Sequence, residues 1–177
     1  LYSSNNNETL SNVSVTFFGI LYISLPISLL NFIVFNEYSY NSIYLMATLL
    51  FLWTSESAAY FGGSLFGRKK LFKSVSPMKT WEGVISGLFA NILLAYLIHQ
   101  FVWTSFQTFT FWVLFSVVVL VSGIFGDLFE SLLKRNFNLK DSGNKLPGHG
   151  GFLDRFDSFF FVIPYVYFYL KIIDQIT

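Results

Sequence analysis

Apolar residues dominate five stretches of this chain, and short polar connections separate them. A helix that crosses the hydrocarbon core of a bilayer, roughly 30 Å thick, needs about 20 residues at about 1.5 Å each. The five stretches have about this length and are Thr16 to Phe35, Ile43 to Phe61, Gly83 to Trp103, Phe109 to Gly126 and Phe156 to Ile173. The pattern therefore predicts an all-α membrane protein, a polytopic bundle of about five transmembrane helices.

Charged residues are scarce, and this scarcity narrows the class of protein. Only 12% of the residues are Asp, Glu, Lys or Arg, whereas about a quarter are charged in an ordinary soluble domain. Such a sequence cannot cover a water-exposed surface, which excludes an ordinary soluble enzyme. The sequence also contains no cysteine, so a disulfide framework, a thiolate nucleophile and a cysteine-bound zinc ion are excluded.

The few basic residues are concentrated in two connections. Five of the eleven lie between the second and third stretches, and five lie between the fourth and fifth. Two connections separated by two crossings face the same side, and the positive-inside rule assigns both to the cytoplasm. The N-terminus is then cytoplasmic and the C-terminus external. In this topology Trp81, Trp103 and Trp112 fall near the membrane surfaces, as residues of an aromatic belt do.

The basic residues of these two connections can be explained by their role in setting the membrane topology. That explanation does not account for the other polar residues there. The connection between the fourth and fifth stretches also begins with acidic residues at helical spacing. Asp127, Glu130, Ser131 and Lys134 are spaced i, i+3, i+4 and i+7, so a helix presents them on one face. The sequence predicts that this polar face continues from the cytoplasmic end of the fourth helix.

A second pair of acids lies where the fifth stretch begins. Asp154 and Asp157 share one face at a helix start, and Gly150 and Gly151 allow backbone N–H groups to approach an anion there. Carboxylates from two helix ends, beside several cations, suit a hard divalent ion such as Mg²⁺ that is shared with phosphate oxygens. The alternative is that each acid pairs with a neighbouring base on a solvated loop. That alternative explains the charge balance but not the paired glycines, and we favour a metal and phosphate site at the membrane surface.

Many polar residues of this connection stand at the spacing of a known signature. They are Ser131, Lys134, Arg135, Lys140, Asp141, Gly143, Leu146, Pro147, His149, Gly150, Gly151, Asp154, Arg155 and Asp157. In this run the chain resembles the phosphatidate cytidylyltransferases, also called CDP-diacylglycerol synthases. The resemblance continues upstream in Ala59-Tyr60-Phe61, Phe66-Gly67-Arg68, Ser76-Pro77 and Lys79-Thr80-Trp81-Glu82-Gly83. A signature with so many fixed polar positions is specific, and the resemblance covers most of the chain from about Tyr22 onward.

The resemblance implies an activity, its substrates and its cofactors. Family members transfer the cytidylyl group of CTP to phosphatidic acid and release pyrophosphate, with Mg²⁺ and often a monovalent cation such as K⁺. The lipid bilayer is then a further partner, and nucleic acid is not expected to bind. The sequence leaves open whether the protein forms a homodimer. We expect one membrane-embedded cytidylyltransferase domain over residues 1–177, without the N-terminal helices of longer members, in a bacterial inner membrane.

The resemblance also implies roles for individual residues of this sequence. The metal-binding group comprises Asp127, Asp154 and Asp157. The catalytic group holds and neutralises phosphates and comprises Lys134, Arg135, Lys140, His149 and Arg155. The substrate-binding group comprises Ser131, Lys79, Arg68, Gly150, Gly151 and Glu56. No nucleophile from the protein is needed, because the phosphate of the lipid attacks the nucleotide.

Two positions differ from the family pattern. Glu56 stands where an Asp is usual, and Ser64 stands where an Arg is usual, so one cation is lost. These differences keep open the hypothesis of a catalytically silent paralogue that binds nucleotide or acidic lipid. Within the enzyme class, a related CTP-dependent lipid enzyme is a further hypothesis. A small transporter is a weaker hypothesis, since its polar residues would line a path toward the membrane midplane.

Overall fold

The computed structural model describes residues 6–36, 39–72, 75–102, 107–136 and 156–176. Within these ranges the chain folds into five α-helices, and each overlaps one of the five predicted stretches. They are α1 (Asn6–Val34), α2 (Ile43–Phe66), α3 (Trp81–Leu97), α4 (Phe109–Asn136) and α5 (Asp157–Ile176), with a π-helical turn, Ile98–Val102, after α3. The predicted all-α fold is confirmed.

Three of the helices are long and apolar enough to cross a membrane, over Asn12–Val34, Trp81–Phe101 and Phe109–Arg135. The other two, α2 and α5, are helical where the sequence predicts the second and fifth spans, but polar residues interrupt their apolar runs. A Thr-Ser-Glu-Ser run occupies positions 54–57 of α2, and α5 carries three tyrosines together with charged residues near both ends. That α2 and α5 also cross the membrane therefore stays a prediction.

Large apolar side chains cover the outer surfaces of α1 and α3. Phe17 and Phe32 on α1 are 64% and 67% exposed, and Phe89 and Leu93 on α3 are 69% and 61% exposed. Soluble monomers rarely expose continuous apolar patches of this kind, because water disfavours them. Hydrocarbon chains of a bilayer cover such a surface at no comparable cost, which agrees with a membrane protein.

The helices pack around an aromatic core that fills one half of the bundle. Contacts are most extensive between α2 and α3 and between α4 and α5, and α1 packs on α5. Phe51, Trp112, Phe115 and Ile163 are among the largest fully buried side chains. This core lies toward the end where α2 and α4 begin, which we call the far end. The opposite end, where α2 and α4 finish and α5 begins, is called the site end.

Trp112 differs from its predicted place in an aromatic belt. Its side chain is completely buried, and its ring packs against Phe111 and Phe115, with centroids 5.2 and 5.9 Å away. The large apolar area of tryptophan is here used in the core, because neighbouring helices cover this face of α4. Trp81, by contrast, is 54% exposed at the first residue of α3, and Trp103 lies outside the described residues.

Two short hairpins connect the helices, and the hydrophobic pattern does not predict them. At the far end β1 (Phe35–Asn36) pairs with β2 (Ser39–Tyr40), and at the site end β3 (Lys70–Phe72) pairs with β4 (Ser76–Thr80), both antiparallel. Such short strands leave too few residues to show the alternation that marks a strand. The hairpin of β3 and β4 positions a predicted site residue, because β4 carries Lys79 directly before α3.

Thr80 fixes the junction between β4 and α3. Its Oγ1 accepts a hydrogen bond of 3.2 Å from the backbone N–H of Gly83 and so caps the first turn of α3. Three glycines surround this side chain: a Cβ atom on Gly63, Gly67 or Gly83 would lie 3.0, 2.8 or 3.2 Å from Thr80 atoms. These close approaches hold the hairpin against α2 and α3.

Candidate functional site

Four elements bring charged residues together at the site end. Glu56 lies on α2, Lys79 on β4, Asp127 on α4, and Asp157 is the first residue of α5. Lys79, Asp127 and Asp157 are close enough to Glu56 for their charges to act on its carboxylate. Residues that are distant in sequence thus form one group, which we call the charge cluster (Glu56, Lys79, Asp127 and Asp157).

An ion pair joins Lys79 to Asp127 within the charge cluster. The Nζ atom of Lys79 lies 2.5 Å from Oδ2 of Asp127 and 3.5 Å from the backbone oxygen of Ile124. The two side chains are 22% and 40% exposed, so solvent reaches both. Ion pairs at such exposure typically contribute less than about 1 kcal/mol to stability. The ion pair therefore contributes little to the stability of the fold, and its importance lies in the chemistry of the site.

The predicted polar face of the fourth helix is confirmed, because α4 continues unbroken to Asn136. On this face the Ser131 hydroxyl lies 3.5 Å from Oδ1 of Asp127, one helical turn away. The 28 residues of α4 rise about 42 Å, which exceeds the roughly 30 Å of a bilayer core. The helix is thus long enough to carry its polar end out of the apolar layer.

Asp157 begins α5 and also contacts α1. Its Oδ1 accepts a hydrogen bond of 2.6 Å from the backbone N–H of Ser158, and the positive end of the helix dipole favours a carboxylate at this position. The hydroxyl of Tyr22 on α1 donates to the backbone carbonyl of Asp157 at 3.3 Å. Tyr22 and Ser158 are neighbours of the site that the sequence reasoning misses. The available signal for Tyr22 is a phenol in an apolar stretch, since its hydroxyl needs a partner there.

Gly126 allows α4 and α5 to approach each other beside the charge cluster. A Cβ atom at this position would lie 2.7 Å from Cβ of Phe161 and 3.0 Å from Cα of Ser158. One of these neighbours is backbone, which cannot move without shifting α5. The contact therefore sets the separation between the helices that carry Asp127 and Asp157.

Replacing Gly126 with alanine is expected to force α4 and α5 apart. Because overpacking of this kind costs about 1–3 kcal/mol, we expect a lower midpoint in thermal denaturation of the purified protein in detergent. Gly19→Ala on α1 is the matched control, since nothing lies within 4 Å of a Cβ atom there. Equal midpoints for the two variants would contradict the close contact at Gly126.

The other predicted residues in the described part lie around the charge cluster rather than within it. Lys134 forms an ion pair of 2.6 Å with Glu130, whose side chain is 3% exposed. Arg135 is exposed in the last turn of α4, and Arg68 is exposed between α2 and β3. All of them lie on the site end, where phosphate groups in solution can reach the exposed guanidinium groups.

Six predicted site residues fall in the connection between α4 and α5, outside the described residues. They are Lys140, His149, Gly150, Gly151, Asp154 and Arg155. Their proposed roles stay predictions.

The described residues do not by themselves contain a metal centre. In the five described ranges, no group of three or more His, Asp or Glu residues could hold a metal ion. Asp127 and Asp157 nevertheless offer carboxylate oxygens, the ligand type that Mg²⁺ prefers. The third predicted ligand, Asp154, lies outside these ranges. The donor chemistry therefore fits Mg²⁺, and the full ligand set stays a prediction.

The family of the chain follows from its similarity to known proteins. The sequence profile of the Cytidylyltransferase family matches residues 1–173. The chain belongs to this family. The match extends from α1 into α5, so all four residues of the charge cluster lie in the part of the Cytidylyltransferase family that the chain contains.

Individual members of the Cytidylyltransferase family resemble the chain over most of its length. The phosphatidate cytidylyltransferase of Bacillus subtilis (strain 168) is 43% identical over 137 residues, which cover 77% of this chain and 51% of that protein. The phosphatidate cytidylyltransferases of Staphylococcus aureus (strain COL) and Staphylococcus epidermidis are 44% identical over 123 residues, 68% of this chain and 46% of theirs. The chain thus spans about half the length of these curated relatives.

Proposed function

We propose that this chain carries the cytidylyl-transfer site of a phosphatidate cytidylyltransferase. The observation that carries the proposal is the charge cluster, in which Lys79 pairs with Asp127 at one end of an apolar helix bundle. The charges of Asp127, Asp157 and Lys79, which belong to three other elements, act on Glu56 there. Membership of the Cytidylyltransferase family and the names of its relatives support the same reaction. The substrates are CTP from the aqueous phase and phosphatidate from the bilayer.

The proposed reaction is a displacement at phosphorus. An oxygen of the phosphatidate phosphate attacks the α-phosphorus of CTP, and the bond from that phosphorus to the oxygen bridging the β-phosphate breaks. The products are CDP-diacylglycerol and pyrophosphate. The protein supplies no nucleophile, so its contribution is to align two anions and to neutralise the charge that develops as pyrophosphate leaves.

Lys79 is the cation of the charge cluster and binds a substrate phosphate in this proposal. Its ammonium group contacts Asp127 at a partly exposed position, where a phosphate oxygen can replace the carboxylate as its partner. A charge-assisted hydrogen bond to phosphate is among the stronger interactions available to a lysine. The exchange leaves the Asp127 carboxylate available as a ligand.

Negative charge exceeds positive charge in the cluster, which argues for a bound cation. Even without Glu56, two aspartates beside one lysine leave a net negative charge, which would repel CTP and phosphatidate unless further positive charge is present. We assign Mg²⁺ to Asp127, Asp154 and Asp157, where it would supply positive charge to phosphate oxygens. A monovalent cation such as K⁺ is a proposed second cofactor.

The remaining site residues have supporting roles in this proposal. Glu56 and Ser131 contact substrate in this proposal, since both lie near Asp127 at the site end. The backbone N–H groups of Gly150 and Gly151 approach a phosphate. Five basic residues and one histidine complete the phosphate contacts: Arg68, Lys134, Arg135, Lys140, Arg155 and His149.

We place the charge cluster at the cytoplasmic face of a bacterial inner membrane. Arg68, Lys79, Lys134 and Arg135 all belong to the site end, and the positive-inside rule assigns such an end to the cytoplasm. CTP is present on that side, so the nucleotide reaches the site without crossing the membrane.

The proposed function is tested with the purified chain in detergent, supplied with CTP, phosphatidate and Mg²⁺. We expect one pyrophosphate released for each CDP-diacylglycerol formed, and no product after Mg²⁺ is removed with a chelator. The Bacillus subtilis relative, purified identically, serves as the positive control. CTP binding without pyrophosphate release, beside an active control, would instead identify a catalytically silent paralogue.

A further inference from the structure

An apolar groove lies between α1 and α5 and begins beside the charge cluster. It encloses about 350 Å³, and its lining includes Leu25 and Pro26 of α1 with Phe160 and Pro164 of α5. Tyr22 lines the same groove, and its hydroxyl donates to the backbone carbonyl of Asp157. The groove is therefore apolar along its length and reaches a polar residue of the charge cluster at one end.

Each of the two helices contributes a proline to the lining of the groove. Pro26 lies inside α1 and Pro164 inside α5, and both line the groove. A proline inside a helix removes one backbone hydrogen bond and bends the helix. At the end of the groove that faces the far end, Phe32 of α1 contacts Tyr167 of α5, with ring centroids 6.2 Å apart. The groove is thus a local feature of the helix pair and not a gap along its whole length.

The length and direction of the groove match an acyl chain in one leaflet. Along α5 the lining runs from Phe160 to Phe168, about 12 Å at about 1.5 Å per residue, and it ends about 16 Å from Asp157. Half of a bilayer core is about 15 Å. The groove runs from the site end toward the far end, as an acyl chain runs from its headgroup toward the membrane midplane.

We propose that this groove holds one acyl chain of the lipid phosphate substrate while its headgroup lies at the charge cluster. The proposal rests on the proposed function and adds a binding site for the lipid tail. Any lipid can touch an apolar groove, but a phosphatidate bound by its headgroup also presents its chain at a high effective concentration. The groove should therefore prefer phosphatidate to a lipid whose headgroup the cluster does not bind.

The test places a fluorescent reporter inside the groove and another outside it. Leu25→Trp puts an indole into the groove. Ile27→Trp is the matched control, because Ile27 lies two residues further along α1, does not line the groove, and is 47% exposed against 45% for Leu25. Each variant is titrated in nanodiscs with phosphatidate or phosphatidylcholine brominated on the acyl chains, and the signal of the unsubstituted chain is subtracted.

We expect phosphatidate to quench Leu25→Trp at a mole fraction about fivefold lower than phosphatidylcholine does, and the two lipids to quench Ile27→Trp equally. Equal quenching of Leu25→Trp by both lipids would mean that the groove takes ordinary surrounding lipid. No quenching by either lipid would mean that protein fills the groove. Either result would overturn the proposal.

A turnover experiment separates this proposal from the proposed function. Leu25→Trp is expected to raise KM for dioleoyl phosphatidate about fivefold more than KM for dihexanoyl phosphatidate, whose chains are too short to fill the groove. Equal effects on the two substrates would contradict the groove. If the unsubstituted chain converts neither substrate beside an active relative, the proposed function fails, and the quenching experiment still decides whether the groove binds the lipid.

Discussion

Replacing Lys79 with methionine is expected to lower kcat/KM for cytidylyl transfer by at least about 100-fold, the loss typical of removing one group that stabilises transition-state charge. Methionine retains much of the length and apolar volume of lysine but cannot neutralise a phosphate. The variant should still fold, because the partly exposed pair of Lys79 with Asp127 contributes little to stability. Steady-state kinetics of the purified variant, with thermal denaturation as a check on folding, measure both effects.

The double variant Lys79→Met/Asp127→Asn distinguishes a site residue from a structural ion pair. If the pair is only structural and neither residue contacts metal or substrate, removal of both charges leaves no unpaired carboxylate, and activity should recover relative to Lys79→Met. If Lys79 binds phosphate, the double variant should be at least as inactive as the single one. Recovery in the double variant would therefore remove Lys79 from the substrate-binding group and Asp127 from the metal-binding group.

Replacing Asp157 with asparagine is expected to lower activity by at least about 100-fold, because it removes a charge that the proposal assigns to Mg²⁺ binding. The asparagine oxygen can still accept the hydrogen bond from the backbone N–H of Ser158. The denaturation midpoint of Asp157→Asn should thus stay close to that of the unsubstituted chain. Asp157→Ala should lose activity to the same extent and also lose about 1 kcal/mol of stability.

Asp174→Asn is the control for this prediction, since Asp174 is an exposed acid near the opposite end of the same helix. It removes the same charge from α5 at the far end and should leave activity unchanged. Both variants are assayed over a range of Mg²⁺ concentrations. Activity of Asp157→Asn within about twofold of the unsubstituted chain would be too small a change for loss of a metal ligand, and Asp157 would leave the metal-binding group.

The helices could be predicted from the sequence because each needs only a long apolar run. Their ends could not, because an apolar run marks the hydrocarbon layer, whereas a helix can continue into polar surroundings. The sequence places the start of the first span at Thr16, but α1 begins at Asn6. In the same way α4 continues past Gly126 to Asn136 and carries the polar face with it.

The burial of Trp112 and the formation of the hairpins depend on contacts between segments, which the sequence pattern of one segment does not reveal. Trp112 has the position of a belt residue when α4 is considered alone, and it becomes a core residue because Tyr44, Phe51 and Phe111 pack around it. The strands of the hairpin that carries Lys79 are held by pairing across a short connection. In both cases tertiary contacts override the expectation from the sequence of one segment.

The candidate site was predictable to the extent that its residues carry charge. Charge in an apolar sequence is conspicuous, which is why the spacing and the family resemblance together single out Lys79, Asp127 and Asp157. Tyr22 is uncharged and lies on α1, 135 residues before Asp157, whose carbonyl accepts its hydrogen bond. Only the packing of α1 against α5 shows that it belongs beside the site.

The close packing of Thr80 against three glycines bears on how fast Lys79 can exchange its partner. Since Gly63, Gly67 and Gly83 confine Thr80, the backbone of the adjacent Lys79 is held in place, and only the lysine side chain is left to move. In the proposed function, transfer of its ammonium group from Asp127 to a phosphate would then need rotation about side-chain bonds, which takes picoseconds to nanoseconds, and not a slower movement of the hairpin. Opening of this part of the site would not limit turnover.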